Sequence, residues 1–210
     1  MEKTDLKQQF KELYRPPAQP VVVDVPSFNF LMIDGAGSPE QSERFQSAIG
    51  ALYGIVYTLK FMLKKAPVDG VADFTVMPLE GLYGDAAEGD HGAGFMHDDQ
   101  ASWSWTLMIA LPEDITPELV AAATEELRRR KDPPCLDDVR VERLSEGRCV
   151  QVMYVGPYDG EVPTIEALHA FALGQGFGLC GRHHEVYLGD PRRTAPERLK
   201  TVIRQPVTAA

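Results

Sequence analysis

Cysteine is scarce in this chain: three in 210 residues, Cys135, Cys149 and Cys180. They are odd in number, widely spaced and never in a C-x-x-C pair, which argues against a disulfide frame and a cysteine-based zinc site. Such thiols suit a reducing, cytoplasmic setting. Long apolar runs are missing too. Nothing approaches the roughly 18 residues that span a bilayer, and the opening "MEKTDLKQQF" has no signal-peptide core. Positive charge is in deficit, with 21 Lys and Arg against 31 Asp and Glu, a net charge of −10. A surface of that sign repels a phosphate backbone, so direct nucleic-acid binding is not expected, whereas cationic small molecules are favoured.

Several signatures of catalysis are also lacking. His183 and Glu185 alternate as strand neighbours, and His91 and His97 sit in an Asp-rich loop. No H-E-x-x-H or other recognised ligand spacing joins them, so no metal is expected. "DGAGSP" lacks the G-x-G-x-x-G pattern and a nearby lysine, and no G-x-S-x-G elbow or Cys-His signature appears. No organic cofactor is implied.

What is present reads as alternating helices and strands. Residues 4–14 place Leu6, Phe10, Leu13 and Tyr14 on one helical face, with Thr4 as N-cap, and "RPPAQP" ends that helix. "VPSFNFLMIDGAG" reads as a strand running into a glycine turn. Ser38-Pro39-Glu40-Gln41 is a capping box for a long helix with Phe45, Ile49, Leu52, Val56, Leu59 and Leu63 at three- and four-residue intervals. "VADFTVMPLEGLYG" and "SWSWTLMIALP" read as strands around a loop over 84–100, a candidate lid. Thr116-Pro117-Glu118 opens a helix that closes on "LRRRK", charge that complements the helix C-terminus. Two strands, a helix over "EVPTIEALHAFALGQG", a strand over "RHHEVYLGD" and a final strand over "RLKTVIRQPV" complete the chain.

Two stretches match in order: strand, Gly turn, Pro-headed helix, carboxylate-bearing strand, Gly-Asp, then another strand. The expected fold is α+β, two pseudo-symmetric βαββ repeats forming antiparallel sheets around a central ligand cleft. Residues 1–20 are an amino-terminal helix and linker, and 21–210 a single domain. Within it, repeat one spans about 27–112, a connecting helix and strand about 113–146, and repeat two about 147–208. Aligning "PLEGLYGD" with "HHEVYLGD" puts Glu80 and Glu185 at related positions, one on each cleft wall.

Two polar constellations follow. Glu185 and Tyr187 share a strand face with His183, arranged either as an inward-facing acid in an aromatic cleft or as the solvated face of an antiparallel sheet. In a partly dry cleft, such an acid acts as a proton acceptor. Glu80 and Tyr83 lie in "PLEGLYG", where Gly81 suggests a bulge that re-aims them, or merely a strand end. Trp103 and Trp105, the only tryptophans, share a face with Leu107 and Ile109, as a core wall or a flat wall for a planar ligand.

"FLMIDGAGSPE", "PLEGLYG", "VGPYDGEVPTIEAL" and "HHEVYLGDPRRTAPERLKTVIRQPV" together resemble the GyrI-like small-molecule-binding domain family. With "DLKQQFKELY…P", similar to stand-alone members, the resemblance covers nearly the whole chain. It implies two βαββ-type repeats around a cleft. In multidrug-responsive transcription activators that fold receives cationic, lipophilic compounds on a buried Glu among aromatics; no helix-turn-helix segment accompanies it here. Some stand-alone members resemble hydrolases that open the cyclopropane ring of cyclopropanoid DNA-alkylating natural products, protecting the cell. Glu185 and Tyr187 fall on the family's "HEIYL"-type motif and Glu80 on its "EGLWW"-type motif. The latter reads "EGLYG" here, so Tyr83 replaces one Trp and Gly84 removes a second aromatic wall. Tyr154 stands where many relatives have His.

The resemblance therefore implies Glu185 as general base and Tyr187 as the group that orients water. Glu80, Tyr83, Trp103, Trp105, Tyr154 and His183 would line the ligand. The alternative is a non-catalytic protein that binds or sequesters drugs or senses an effector. A third possibility, contact inhibition of a topoisomerase, rests on the family name. The oligomeric state is not encoded in any of these features.

Overall fold

The computed structural model describes residues 3–39, 42–85 and 103–209. His91, His97 and most of the lid candidate at 84–100 lie outside the described residues, as do Glu40 and Gln41. In chain order the elements are α1 (Leu6–Gln9), α2 (Lys11–Tyr14), β1 (Val21–Val25), β2 (Phe28–Ala36), α3 (Glu43–Lys65), β3 (Leu79–Asp85) and β4 (Trp103–Leu111). Then come α4 (Pro117–Arg130), β5 (Arg140–Leu144), β6 (Gly147–Val155), α5 (Val162–Gly174), β7 (Phe177–Leu179), β8 (His183–Tyr187) and β9 (Lys200–Ala209).

The class is α+β, built on a large antiparallel sheet ordered β1-β6-β9-β8-β3-β4-β2-β5, with β7 added on β9. The unit β2-α3-β3-β4 has its counterpart in β6-α5-β8-β9, and the two units meet where β3 pairs with β8. Each unit's leading strand crosses to the other: β1 pairs with β6, and β5 with β2. One register runs through both ladders, from Val21↔Gln151 to Met32↔Arg140. The strand β1 is absent from the sequence-based expectation, because "VVVDV" does not alternate and follows a proline-rich linker.

Directly opposed residues of an antiparallel pair share a sheet face, and successive residues alternate. On the front face α3 packs against β2 and β4, while α5 packs against β6, β7 and β9. Each helix closes its own apolar core, the second built on Val150, Val152, Ile165, Leu168 and Ile203. The central pair β3–β8 lies between the helices in the sheet order. On the back face α1 and α2 lie across the sheet, with Phe10 edge-on to Phe28 at 4.9 Å.

Local chemistry sets the helix boundaries. The Ser42 hydroxyl accepts from the Phe45 amide at 3.2 Å, so Ser42, not Ser38, caps α3. Glu43 in its first turn and Lys64 and Lys65 in its last suit the dipole, and Pro67 follows. Thr116 caps α4 as expected. The amino-terminal helix is capped by Asp5, not Thr4, and breaks at Phe10 into two short turns. The bulge expected at Gly81 is absent: β3 stays in continuous register with both β4 and β8.

Candidate functional site

Gly81 sits directly across from Glu185, and Glu80 directly across from Val186. The two acids therefore project from opposite faces of the sheet. The expectation that they line one hollow is corrected, and so is the place of Glu80 in the ligand set. The matching Gly-Asp pairs align the strands at an offset of 105 residues, whereas a twofold axis through Gly81↔Glu185 relates them by 104 (185 − 81). One residue of slip exchanges the faces.

On the front face, Tyr83 and Tyr187 are each two residues beyond that central pair on their own strands. They reach back across it until their hydroxyls meet at 2.5 Å. Gly81 makes this possible: a Cβ there would stand 2.7–2.9 Å from the Tyr83 ring and hydroxyl. His183 Nε2 donates to Glu185 Oε1 at 3.0 Å, and Tyr187 also hydrogen-bonds the carboxylate. His183 is wholly buried and Glu185 is 8% exposed. Burial works against charge on Glu185, but the hydrogen bonds from His183, Tyr187 and Glu161 hold its carboxyl below the usual range. Burial and the Glu185 charge push both tyrosines well up, so they remain phenols.

The third partner of Glu185, Glu161, is not among the residues that the sequence singles out. It precedes Pro163 at the start of α5, where an acid reads as a complement to the helix dipole. Its side chain makes no capping bond. It is 4% exposed and lies close to Glu185. Two carboxylates side by side in a buried place repel, which favours a proton on one of them. Burial and the Glu185 charge raise Glu161 well above the carboxylate range, so Glu161 carries it. Thr201, on the same face of β9 across from Tyr187, lies next to Glu161.

The surroundings of this cluster are aromatic. Tyr158, just before α5, stands edge-on to Tyr187 at 5.6 Å and is 39% exposed. Half-buried Trp103 lies 6.0 Å from Tyr83, and Tyr53 of α3 reaches the Leu79 backbone. Trp105 packs apart from these rings. Its ring lies over Gly35, where a Cβ would come within 2.1 Å, and meets Phe45 edge-on at 5.0 Å in the α3 core. Tyr154 lies one strand beyond Thr201, its hydroxyl donating to the Pro157 carbonyl at 2.8 Å, so it braces the turn before α5.

The back face holds a buried ionic network. His184 Nε2 donates to Glu80 Oε2 at 3.0 Å and Nδ1 to Glu146 Oε1 at 2.9 Å. Carboxylates only accept, so both ring nitrogens carry protons and the imidazole is a cation. Burial opposes that charge, but Glu146 and Glu80 raise its pKa. Arg204 Nη1 donates to Glu146 Oε2 at 3.0 Å. The four side chains carry two negative and two positive charges, and each is at most 5% exposed. Tyr14 donates to Glu80 at 3.2 Å, Arg204 Nη2 to the Leu13 carbonyl at 3.2 Å, and Gln151 to the Glu12 carbonyl at 2.7 Å. The network thus ties α2 to the sheet.

Among the described residues no cluster of three or more His, Cys, Asp and Glu side chains is arranged to hold a metal, and no helix is long and apolar enough to cross a membrane. A surface pocket of about 380 Å³ lies between α4 and β5, and one of about 540 Å³ lies on the back face around Asp34, Thr106, Arg140 and Arg182. Neither includes a residue of the Glu185 cluster.

Comparison with known proteins adds to this geometry. The profile of the GyrI-like small molecule binding domain matches residues 18–208. An uncharacterized conserved protein from Listeria innocua superposes with a TM-score of 0.88 at 40% identity, covering 98% of this chain and 100% of that one. A hydrolase from Listeria innocua superposes with a TM-score of 0.85 at 37% identity, covering 98% and 100%. The C-terminal domain of EcmrR shares the fold, with a TM-score of 0.55 at 13% identity over 91% of this chain and 98% of that one. Comparison with curated proteins gives no match.

Proposed function

The chain belongs to the GyrI-like small-molecule-binding domain family, and on that premise we propose that it binds planar, lipophilic or cationic small molecules in the front cleft and hydrolyses cyclopropanoid DNA-alkylating compounds. The observation that supports this reading is Glu185 on the front face, nearly buried, hydrogen-bonded by His183 and held in its charged form, with the Tyr83 and Tyr158 rings against its neighbour Tyr187. The likeness to a hydrolase at 37% identity over the full chain supports a hydrolytic role.

An activated cyclopropane fused to a dienone is an electrophile whose opening restores an aromatic ring. The protein's task is to place a water in line with the strained carbon and to accept a proton. Glu185 is the general base. The phenol of Tyr187 orients the water or the substrate oxygen, and His183 fixes the carboxylate rotamer from below. Tyr83, Tyr158 and Trp103 offer flat faces to the planar ligand. Glu80 contributes from the back face only, by holding the strand pair.

Mass spectrometry of a cyclopropanoid incubated with the wild-type chain and with Glu185→Gln tests the reading. A product heavier by one water with wild type, slowed about 100-fold or more in the variant, supports it. Equal turnover by both removes Glu185 from the chemistry. The same ring of phenols around a carboxylate also suits capture of a cation without turnover. Binding of a rhodamine-type dye with no product from any cyclopropanoid favours that second reading.

A further inference from the structure

We infer that Glu161 and Glu185 form a proton-sharing carboxyl pair in which Glu161 is the general acid, with Thr201 completing its oxygen cradle. The inference rests on the proposed hydrolytic reading and adds a second catalytic residue to it.

Three features of the molecule carry it. First, Glu161 is the N-cap residue of α5 yet lacks the side-chain hydrogen bond that a cap ordinarily makes, and its carboxyl lies close to Glu185. Second, its Oε1 and the Thr201 Oγ1 are both buried with no well-formed hydrogen bond among the described residues. Thr201 lies close enough to bias the titration of Glu161, but the pair does not satisfy itself. Buried oxygens of this kind mark places where a water or a ligand oxygen is bound. Third, the ionisable groups facing Glu161 are Glu185 on β8, Tyr83 on β3, and Tyr154 and Tyr158 beside its own turn. The tyrosines are all pushed up by burial and by nearby acids, so the negative charge next to Glu161 is that of Glu185.

The reaction balances on this pair. Water oxygen bonds to the strained carbon, the ring C–C bond breaks, and its electron pair runs into the dienone, whose oxygen becomes phenolic. Glu185 takes a proton from the water, and Glu161 gives its own to the phenolic oxygen. The acid and base have then exchanged states. Their close approach returns the proton from Glu185 to Glu161 and resets the site without help from solvent.

The test uses the full chain as wild type, Glu161→Gln and Thr201→Val. Gln is close in shape to a protonated Glu, so Glu161→Gln is expected to keep the wild-type thermal midpoint and dye affinity. Turnover of a cyclopropanoid is expected to fall about 100-fold in kcat with KM changed less than about threefold. Its pH profile is expected to lose the alkaline limb that loss of the Glu161 proton imposes on wild type. Thr201→Val is expected to lower kcat less and to keep both limbs. An infrared C=O band of a protonated carboxyl at neutral pH, present in wild type and lost in Glu161→Gln, reports the shared proton without turnover. Wild-type kcat and an unchanged alkaline limb in Glu161→Gln overturn the general-acid role, and absence of the band overturns the pair itself. A wild-type chain that shows the band but opens no cyclopropanoid overturns the hydrolytic reading and the acid's role with it, leaving the proton-sharing pair intact.

Discussion

Glu80 and Glu185 stand on adjacent strands, one residue out of step, and point away from each other through the sheet. Glu185 meets His183, Tyr187 and Glu161 on the front, and Glu80 meets His184 and Tyr14 on the back. Two acids that look equivalent in the chain thus belong to separate clusters on opposite faces of the sheet.

This separation predicts distinct phenotypes. Glu80→Ala leaves the His184 cation with one carboxylate and the Tyr14 hydroxyl without its acceptor. It is expected to cost about 3 kcal/mol, as breaking a buried ion pair does, while the surviving folded protein keeps its dye affinity. Urea denaturation together with dye titration measures both quantities. A stable Glu80→Ala protein that has lost its ligand would return Glu80 to the cleft.

The same network sets a pH window. Although burial opposes it, His184 and Arg204 hold the Glu146 carboxyl down to about 2. Its contribution is present above the unfolded value of about 4.3 and is lost as pH falls through about 2, about 3 kcal/mol in all. His184 is raised, so its contribution is complete below about 6.5 and fades as pH rises through its folded value. The urea midpoint is therefore expected to be highest at about pH 4.5–6.5 and to decline on either side. Glu146→Gln should flatten the acid limb, and an unchanged acid limb would show that other carboxyls control it.

Two glycines test the assignment of the aromatic residues. Gly81→Ala sets a methyl 2.7 Å from the Tyr83 ring, whose free end can swing aside. The fold should survive with a small loss in thermal midpoint, while the Tyr83–Tyr187 contact opens and dye affinity drops about tenfold, a change worth about 1.4 kcal/mol. Gly35→Ala drives a methyl to 2.1 Å from the enclosed Trp105 ring. Overpacking of that kind costs about 1–3 kcal/mol, and affinity in the folded fraction should hold. Paired melting curves and dye titrations separate the two, and identical behaviour would mean that Tyr83 does not shape the cleft.

The chain announced much of this architecture. Six apolar residues at helical spacing specified α3, Thr116-Pro117 marked the start of α4, and "HHEVY" carried an alternation that placed His183, Glu185 and Tyr187 on one face. Other features had no local signature. Glu161 looked like an ordinary acid at a helix start, and its role arises only because α5 settles beside β8. The two tryptophans have the same spacing and neighbours, yet the strand opposite Trp105 offers Gly35, and that vacancy draws one ring into the core while Trp103 stays half-buried near Tyr83.

Composition, periodicity and capping residues determined which segments became helices or strands and which side chains of a single strand point the same way, because those properties depend on neighbours a few positions apart. The sheet register, the opposed directions of Glu80 and Glu185, and the meeting of residues 12–14, 80, 146, 184 and 204 in one ionic cluster were decided by tertiary structure alone. With a side-chain period of two, a slip of one residue turns an acid from one face of the sheet to the other. That slip is settled by how the two halves pair and pack across the whole sheet.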